Sequence, residues 1–168
     1  MSFYLDTSCL LKLLLIEPGS RDVRDFVAIA DDVLVSSLTR LEAEVTLEGG
    51  HRGGRLRAGQ WKAFREKLGS LLDLAPFRAC PLPGSLFETA LAQQHRPGSV
   101  HCRSLDRLHL AAMEELRTTH LVTHDAAQAT AARALGYRVD EPGRRSSARG
   151  GAGRTAARQP RPRKVPSR

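Results

Sequence analysis

The N-terminal stretch from Phe3 to Ser8 constrains the fold more than any other part of the sequence. It reads Phe-Tyr-Leu-Asp-Thr-Ser, three large apolar residues followed at once by an acid and two small hydroxyl residues. Such apolar residues suit a buried strand, whereas Asp, Thr and Ser favour the start of a helix. In an open parallel α/β sheet, ligands bind at the edge where the strands end. The stretch therefore predicts a buried strand that places Asp6 at such an edge, unless Asp6 only caps the next helix.

The rest of the pattern alternates strands with helices. Further strands are predicted at Val33–Ser36, Phe77–Leu82, Leu121–Thr123 and Tyr137–Val139, with helices between them, and Gly49–Gly54 is predicted to be a flexible connector. This alternation implies a parallel sheet with right-handed crossovers. The predicted fold class is α/β, with three α/β/α layers around a central, mainly parallel sheet of about five strands.

The charge of the chain is unevenly distributed. Its net charge is +8 at pH 7, and nine of its 26 Lys and Arg residues lie after Pro142, in a segment without Asp or Glu. Residues 1–142 therefore hold 17 basic and 18 acidic residues. Segment 143–168 has almost no large apolar residue and cannot bury enough surface to fold. We predict a domain over residues 1–142 and a disordered basic tail over residues 143–168, which either grips nucleic acid nonspecifically or is dispensable.

The cysteines and the apolar runs narrow the class of protein. Cys9, Cys80 and Cys102 are far apart, odd in number and without C-x-x-C spacing, which argues against a disulfide framework or a structural zinc site. The apolar run Cys9–Ile16 is short and interrupted by Lys12, so it predicts a core helix rather than a signal peptide or a membrane span. These features favour a cytoplasmic protein with reduced thiols.

Two acids near helix starts have a simple structural explanation. Thr39 and Glu42 match the S/T-x-x-E capping box, so Glu42 can serve as a capping acid. Ser104 can cap a helix whose first turn holds Asp106, where an acid is favourable on dipole grounds alone. Taken one at a time, neither acid indicates a functional site.

The predicted topology brings four acids together. Asp6 and Asp125 would lie at strand ends on one edge of the sheet, and Glu42 and Asp106 in first turns of helices that begin at that edge. Carboxylates about 4 Å apart repel by about 4 kcal/mol at an effective dielectric constant of about 20. Such a cluster needs a cation, or it must take up protons.

The ligand chemistry indicates which cation. All-oxygen ligands without thiolates or clustered imidazoles select Mg²⁺ or Mn²⁺. With open water positions, such ions serve phosphoryl-ester hydrolysis, in which one metal lowers the pKa of an attacking water and a second, if present, stabilises the leaving oxygen.

Four motifs in this order also carry a family resemblance. They are Tyr-Leu-Asp-Thr-Ser around Asp6, Leu-Thr-Arg-Leu-Glu ending at Glu42, Leu-Asp-Arg-Leu-His-Leu-Ala-Ala from Leu105, and Leu-Val-Thr-His-Asp ending at Asp125. Over residues 2–142 the chain resembles the PIN-domain ribonucleases of the VapC toxin type. The resemblance implies a PIN-like fold and a magnesium-dependent endoribonuclease, the toxin of a type II toxin-antitoxin pair.

The resemblance also implies roles and partners. The catalytic residues would be Asp6, Glu42, Asp106 and Asp125. Asp6 and Asp106 would be direct metal ligands, with Asp125 and Glu42 completing the cluster directly or through water. Hydroxyls that match positions where the family orients metal-bound water belong to Thr7, Ser8 and Thr123. The implied partners are an RNA substrate, a second copy of the chain, and a small antitoxin whose C-terminal segment covers the acidic site.

The histidines are expected to be structural. His109 lies near the apolar stripe that contains Leu108, so we predict a packed or hydrogen-bonded side chain. His124 should point to the other side of the strand end from Asp125. His101 and His120 are predicted to lie in loops.

Other functions remain open on the sequence alone. A haloacid-dehalogenase-type phosphatase would need a second Asp where this chain has Ser8, and a receiver domain would need a late lysine that is missing. A more serious alternative is a catalytically inactive PIN-like module that binds RNA or protein. Loss of Mg²⁺-dependent cleavage with RNA binding intact would favour that alternative.

Overall fold

The computed structural model describes residues 1–144. The predicted disorder of the basic tail concerns residues that lie outside this range, apart from Gly143 and Arg144. Arg144 contacts the folded body, because its Nη1 donates a hydrogen bond of 2.6 Å to the carboxylate of Glu141. Most of the predicted tail lies outside the described residues, so the domain boundary after Pro142 stays a prediction.

Five strands and seven helices make up the described chain. The strands are β1 (Ser2–Leu5), β2 (Asp32–Ser36), β3 (Phe77–Cys80), β4 (His120–Val122) and β5 (Arg138–Asp140). The helices are α1 (Thr7–Leu14), α2 (Ser20–Ala28), α3 (Ser37–Arg52), α4 (Ala58–Leu72), α5 (Leu86–Gln94), α6 (Ser104–Glu115) and α7 (Ala126–Ala134). The strands pair in the order β3-β2-β1-β4-β5, and every pair is parallel.

Side chains of β1 divide the core into two halves. Phe3 and Leu5 point into a cluster with α1 to α4, whereas Tyr4 points into a second cluster with α5 to α7. All three side chains are fully buried. Successive residues of a strand face opposite sides of the sheet, so one short apolar run anchors both helical layers. The predicted three-layer α/β/α fold is confirmed.

The strand order creates a crevice at one point of the sheet edge. The chain moves from β1 outward to β2 and β3, then crosses to β4 on the other side of β1. At such a switch point the connections leave on opposite faces of the sheet and open a space beyond the strand ends. Asp6 directly follows β1, and Asp125 follows β4, so the two strands that flank the crevice each deliver an acid to it.

Helix α3 differs from its prediction at both ends. It runs through Gly49 and Gly50 to Arg52, where the sequence predicted a flexible connector. Gly50 is buried, and a Cβ added there would lie 3.1 Å from Leu56 Cδ1. Tertiary packing against this close neighbour overrides the low helix propensity of glycine.

The N-terminus of α3 also corrects the capping prediction. Ser36, not Thr39, is the N-cap, and its Oγ accepts a hydrogen bond of 3.1 Å from the backbone N–H of Thr39. Glu42 therefore lies in the second turn, where no free backbone N–H needs a cap. At α6, Arg103 rather than Ser104 is the N-cap residue.

The prediction that His120 lies in a loop is also wrong. His120 begins β4, where its Nε2 pairs with Asp140 Oδ2 at 2.8 Å. Within the described residues, no helix is both long and apolar enough to cross a membrane.

Candidate metal centre

One cleft at the switch point collects all four predicted acids. Its cavity volume is about 170 Å³. It is lined by Asp6, Thr7, Ser8, Glu42, Thr46, Arg103, Asp106, His109 and Asp125. Asp6 and Asp125 reach it from strand ends, Glu42 from the second turn of α3, and Asp106 from the first turn of α6. Four acids separated by up to 119 positions in the sequence thus share one small space because the parallel sheet aligns its strand ends.

Asp6 presents its two carboxylate oxygens differently. Oδ2 accepts hydrogen bonds from the Ser8 backbone N–H (3.1 Å), Ser8 Oγ (2.7 Å) and Thr123 Oγ1 (2.9 Å). Within residues 1–144, Oδ1 accepts a single, long hydrogen bond of 3.3 Å, from Gln128 Nε2. One oxygen is therefore saturated by donors, while the other retains lone pairs for a cation.

Glu42 shows the same division. Its Oε2 accepts a hydrogen bond of 2.6 Å from Thr7 Oγ1 and lies 2.6 Å from His109 Nε2. Among residues 1–144, no donor reaches Oε1. Burial raises the pKa of Glu42, but the hydrogen bonds from His109 and Thr7, together with nearby positive charge such as that of Arg103, lower it below its usual value. Glu42 is therefore ionised at neutral pH.

His109 links the cleft to the core. Its ring is almost fully buried, and its Nδ1 lies 2.7 Å from the hydroxyl of Tyr4. Burial, together with the nearby carboxylates, raises the pKa of Tyr4 far above its usual value despite hydrogen bonds to Ser36 and Thr39. The geometry confirms the prediction of a hydrogen-bonded His109, but the sequence did not indicate that its partner is a carboxylate of the site.

The positively charged side chain of Arg103, which was not predicted from the sequence, bridges Asp106 and Asp125. The Arg103 backbone N–H and Nε donate to Asp106 Oδ2 over 3.2 and 3.0 Å, and Arg103 Nη2 pairs with Asp125 Oδ2. Asp125 Oδ1 caps α7 by accepting from the backbone N–H groups of Ala127 and Gln128. The spacing of three residues between Arg103 and Asp106 was the signal in the sequence that could have found it.

The four acids thus form two pairs. The inner pair is Asp6 and Glu42, and the outer pair is Asp106 and Asp125. Within the described chain, ligand atoms of Asp6, Glu42 and His109 lie within 4.8 Å of one another, close enough to surround a metal ion. The family resemblance implied Asp6 and Asp106 as direct ligands, with Asp125 and Glu42 completing the cluster directly or through water. The structure places Glu42 beside Asp6, and the ligand set stays a prediction. Asp106 and Asp125 line the same cleft but hold Arg103.

The donor set fits a hard divalent cation. Two carboxylates that line the cleft, those of Asp6 and Glu42, each have one oxygen with few hydrogen bonds, and oxygen ligands of this kind suit Mg²⁺ or Mn²⁺. The outer pair already binds a positive charge, the guanidinium of Arg103. The three cysteines are free and buried, and none lines the cleft.

The hydroxyls of Thr7, Ser8 and Thr123 hold carboxylates. Thr7 donates to Glu42, and Ser8 and Thr123 donate to Asp6. A hydroxyl has a single proton to donate, so each of the three donates it to a carboxylate oxygen. Their predicted role in orienting water stays a prediction.

Comparisons with known proteins agree with this architecture. A family model described as PIN domain matches residues 3–134. The chain belongs to the PIN-domain family. This PIN domain is 30% identical over 146 residues to Ribonuclease VapC47 of Mycobacterium tuberculosis (strain CDC 1551 / Oshkosh), and the match covers 83% of this chain and 96% of the relative. The predicted membership among VapC-type PIN proteins is confirmed.

Solved structures share the fold at lower identity. FitAcB from Neisseria gonorrhoeae matches with a TM-score of 0.66 and 18% identity, covering 84% of this PIN domain chain and 98% of that chain. A toxin-antitoxin complex from Klebsiella pneumoniae matches with a TM-score of 0.57 and 18% identity, covering 83% of this chain and 97% of that chain. At 18% sequence identity, these matches show a shared fold and nothing beyond it.

Proposed function

We propose that this PIN domain protein is a metal-dependent endoribonuclease that acts in the cytoplasm as the toxin of a type II toxin-antitoxin pair. The observation that carries the proposal is the convergence of Asp6, Glu42, Asp106 and Asp125 on one cleft at the switch point of the sheet. The name of the relative, Ribonuclease VapC47, supports RNA as the substrate.

Mg²⁺ is the proposed cofactor, with Mn²⁺ as a substitute. When bound, such an ion lowers the pKa of a bound water and offsets the negative charge of the phosphate. Asp6 and Glu42 would hold the cation through the carboxylate oxygens that have the fewest hydrogen bonds. Ser8, Thr7 and Thr123 keep these carboxylates in place by donating to their other oxygens. Arg103, with its side chain 70% exposed, remains accessible to an RNA phosphate at the mouth of the cleft.

Proposed protein partners are a second copy of the chain and an antitoxin. Two apolar pairs are exposed at helical spacing, Leu41 with Val45 on α3 and Phe87 with Leu91 on α5, each at about 60% exposure. Exposed apolar patches commonly mark protein interfaces. The toxin-antitoxin complex among the structures with this fold supports an antitoxin as one partner.

A cleavage assay with matched variants tests the proposal. We expect the wild type to cleave a mixed RNA pool in Mg²⁺ but not in EDTA, and Asp6→Asn to be inactive in Mg²⁺. The amide keeps the shape of Asp6 but removes the negative charge that binds the cation. Asp73→Asn is the control, because Asp73 is exposed at the end of α4, outside the cleft.

Two results would contradict the proposal in different ways. Cleavage that survives both EDTA and Asp6→Asn would exclude the acidic cleft as the site. RNA binding without cleavage, in a folded wild type with bound metal, would instead favour an inactive PIN-like binding module.

A further inference from the structure

A continuous chain of hydrogen bonds runs from the end of β2 to the cleft. Ser36 Oγ lies 2.6 Å from the Tyr4 hydroxyl, which lies 2.7 Å from His109 Nδ1, and His109 Nε2 lies 2.6 Å from Glu42 Oε2. Thr39 Oγ1 lies 3.1 Å from the same Tyr4 hydroxyl. The four side chains up to His109 are buried, so water does not compete for these contacts.

The directions of these hydrogen bonds follow from the donors present. An ionised carboxylate only accepts, so the proton between His109 and Glu42 lies on Nε2. In a neutral imidazole, Nδ1 is then an acceptor and receives the proton of the Tyr4 hydroxyl. Ser36 Oγ accepts from the Thr39 backbone N–H at 3.1 Å and so is able to donate its own proton to Tyr4. Each group in the chain has a consistent role in one tautomer of His109.

We propose that Tyr4 and His109 are positioning residues that fix Glu42 with Oε2 bonded and Oε1 directed to a divalent cation in the cleft. The inference rests on the proposed metal-dependent function. Glu42 needs such support because it projects from the second turn of α3 on a side chain with three rotatable bonds, whereas Asp6 is short and follows a buried strand. Hydrogen bonds from partners outside the ligand shell commonly hold carboxylate and histidine groups at metal sites.

The same geometry argues against His109 as a metal ligand or general base. Both of its ring nitrogens are occupied, Nδ1 by Tyr4 and Nε2 by Glu42. Nε2 lies 3.7 Å from Asp6 Oδ1, beyond a normal hydrogen bond. His109 therefore acts on the site through its hydrogen bond to Glu42 and not by binding the metal itself.

The test uses variants of the full chain in the metal-free and metal-bound states. Tyr4→Phe removes the hydroxyl and keeps the ring. Tyr137→Phe is the matched control, since Tyr137 is the second tyrosine of the chain and lies outside the cleft. His109→Leu removes the donor to Glu42, whereas His109→Gln keeps an N–H group at a similar reach.

Two readouts are independent of RNA cleavage. Long-range ¹H–¹⁵N NMR of the metal-free protein should show His109 protonated at Nε2 in the wild type and in Tyr137→Phe, and a mixed tautomer in Tyr4→Phe. Mn²⁺ titration should give a Kd about tenfold or more weaker for Tyr4→Phe and His109→Leu, with partial recovery in His109→Gln, as expected for partners of metal ligands. Thermal denaturation checks that each variant is folded.

The outcomes separate this inference from the proposed function. If the wild type binds Mn²⁺ and Tyr4→Phe binds it within twofold as tightly, or if His109 carries its proton on Nδ1, the positioning role is wrong and the nuclease proposal stands. If the folded wild type binds neither Mn²⁺ nor Mg²⁺, both proposals fail.

Discussion

Arg103 is the residue that most changes the electrostatics of the cleft. It pairs with both Asp106 and Asp125, two acids that the sequence analysis assigned to the metal. These ion pairs raise the pKa of Arg103 further, hydrogen bonding to Asp106 being the largest cause. The guanidinium therefore offsets one of the two negative charges of Asp106 and Asp125, and a cation that uses either acid competes with it.

Substitution of Arg103 should show whether its guanidinium competes with a metal ion for the carboxylates or instead supports the metal site. We expect Arg103→Gln to bind Mn²⁺ with a lower Kd and to gain more in Tm on metal addition than the wild type, because the guanidinium no longer competes for the carboxylates. Isothermal titration and thermal denaturation measure the two effects. Arg96→Gln is the control, since Arg96 forms a similar exposed ion pair with Glu114. Weaker Mn²⁺ binding in Arg103→Gln would show instead that Arg103 supports the site.

At the scale of elements, two of the acids that line the cleft also cap helices. Asp6 is the N-cap of α1 through Oδ2, while its Oδ1 accepts only a long hydrogen bond from Gln128 Nε2 among residues 1–144. Asp125 caps α7 through Oδ1 and directs Oδ2 to Arg103. A carboxylate has two oxygens, so a capping role does not exclude a role in the site. Glu42 differs, because α3 is capped by Ser36.

Helix α3 also offers a prediction about its two adjacent glycines. Gly49 is exposed and has open space where a Cβ would lie, whereas a Cβ at Gly50 would lie 3.1 Å from Leu56 Cδ1. Glycine is about 1 kcal/mol less favourable than alanine inside a helix. Gly49→Ala should therefore raise the free energy of unfolding by roughly 0.5–1 kcal/mol, and Gly50→Ala should raise it less or lower it. Urea denaturation of both variants measures the difference, and equal gains would mean that Leu56 moves aside without cost.

At the scale of the whole molecule, the charges separate along the chain. Residues 145–168 carry eight Lys or Arg and no acid, whereas the domain before them is close to neutral. A basic segment binds RNA by releasing counterions, which makes its contribution strongly dependent on salt. Arg144 contacts Glu141 and the backbone carbonyl of His124, so a truncation is best placed after Arg144.

Truncation after Arg144 tests this division. We expect residues 1–144 to fold, to keep their cleavage rate at saturating RNA, and to bind RNA more weakly. The slope of log affinity against log salt should become shallower by about 0.7 for each RNA phosphate that the shortened chain no longer neutralises. RNA binding measured over a salt series, beside single-turnover cleavage, gives both quantities. Loss of cleavage at saturating RNA would place the basic segment in the active site and move the domain boundary.

The sequence by itself determined the parallel sheet, the three layers and the meeting of four acids at one edge. Alternating strand and helix patterns leave few topologies, and parallel strands end on a common side. The acids Asp6 and Asp125 could therefore be placed together although they lie far apart in the chain. The helical run through Gly49 and Gly50 was missed, because helix propensity does not show that Gly50 packs closely against Leu56.

Only the tertiary structure decided how each acid is used. Glu42 joins Asp6 because Thr7 and His109, which lie 35 and 67 positions away in sequence, both donate to Oε2. Asp6 is oriented in part by Thr123, 117 positions away. Periodicity and motif spacing carry no information about such pairs, since a hydrogen bond forms only where two side chains from different elements converge within about 3 Å. The sequence thus places the acids, and the packing of the helices on the sheet selects which oxygens remain for a cation.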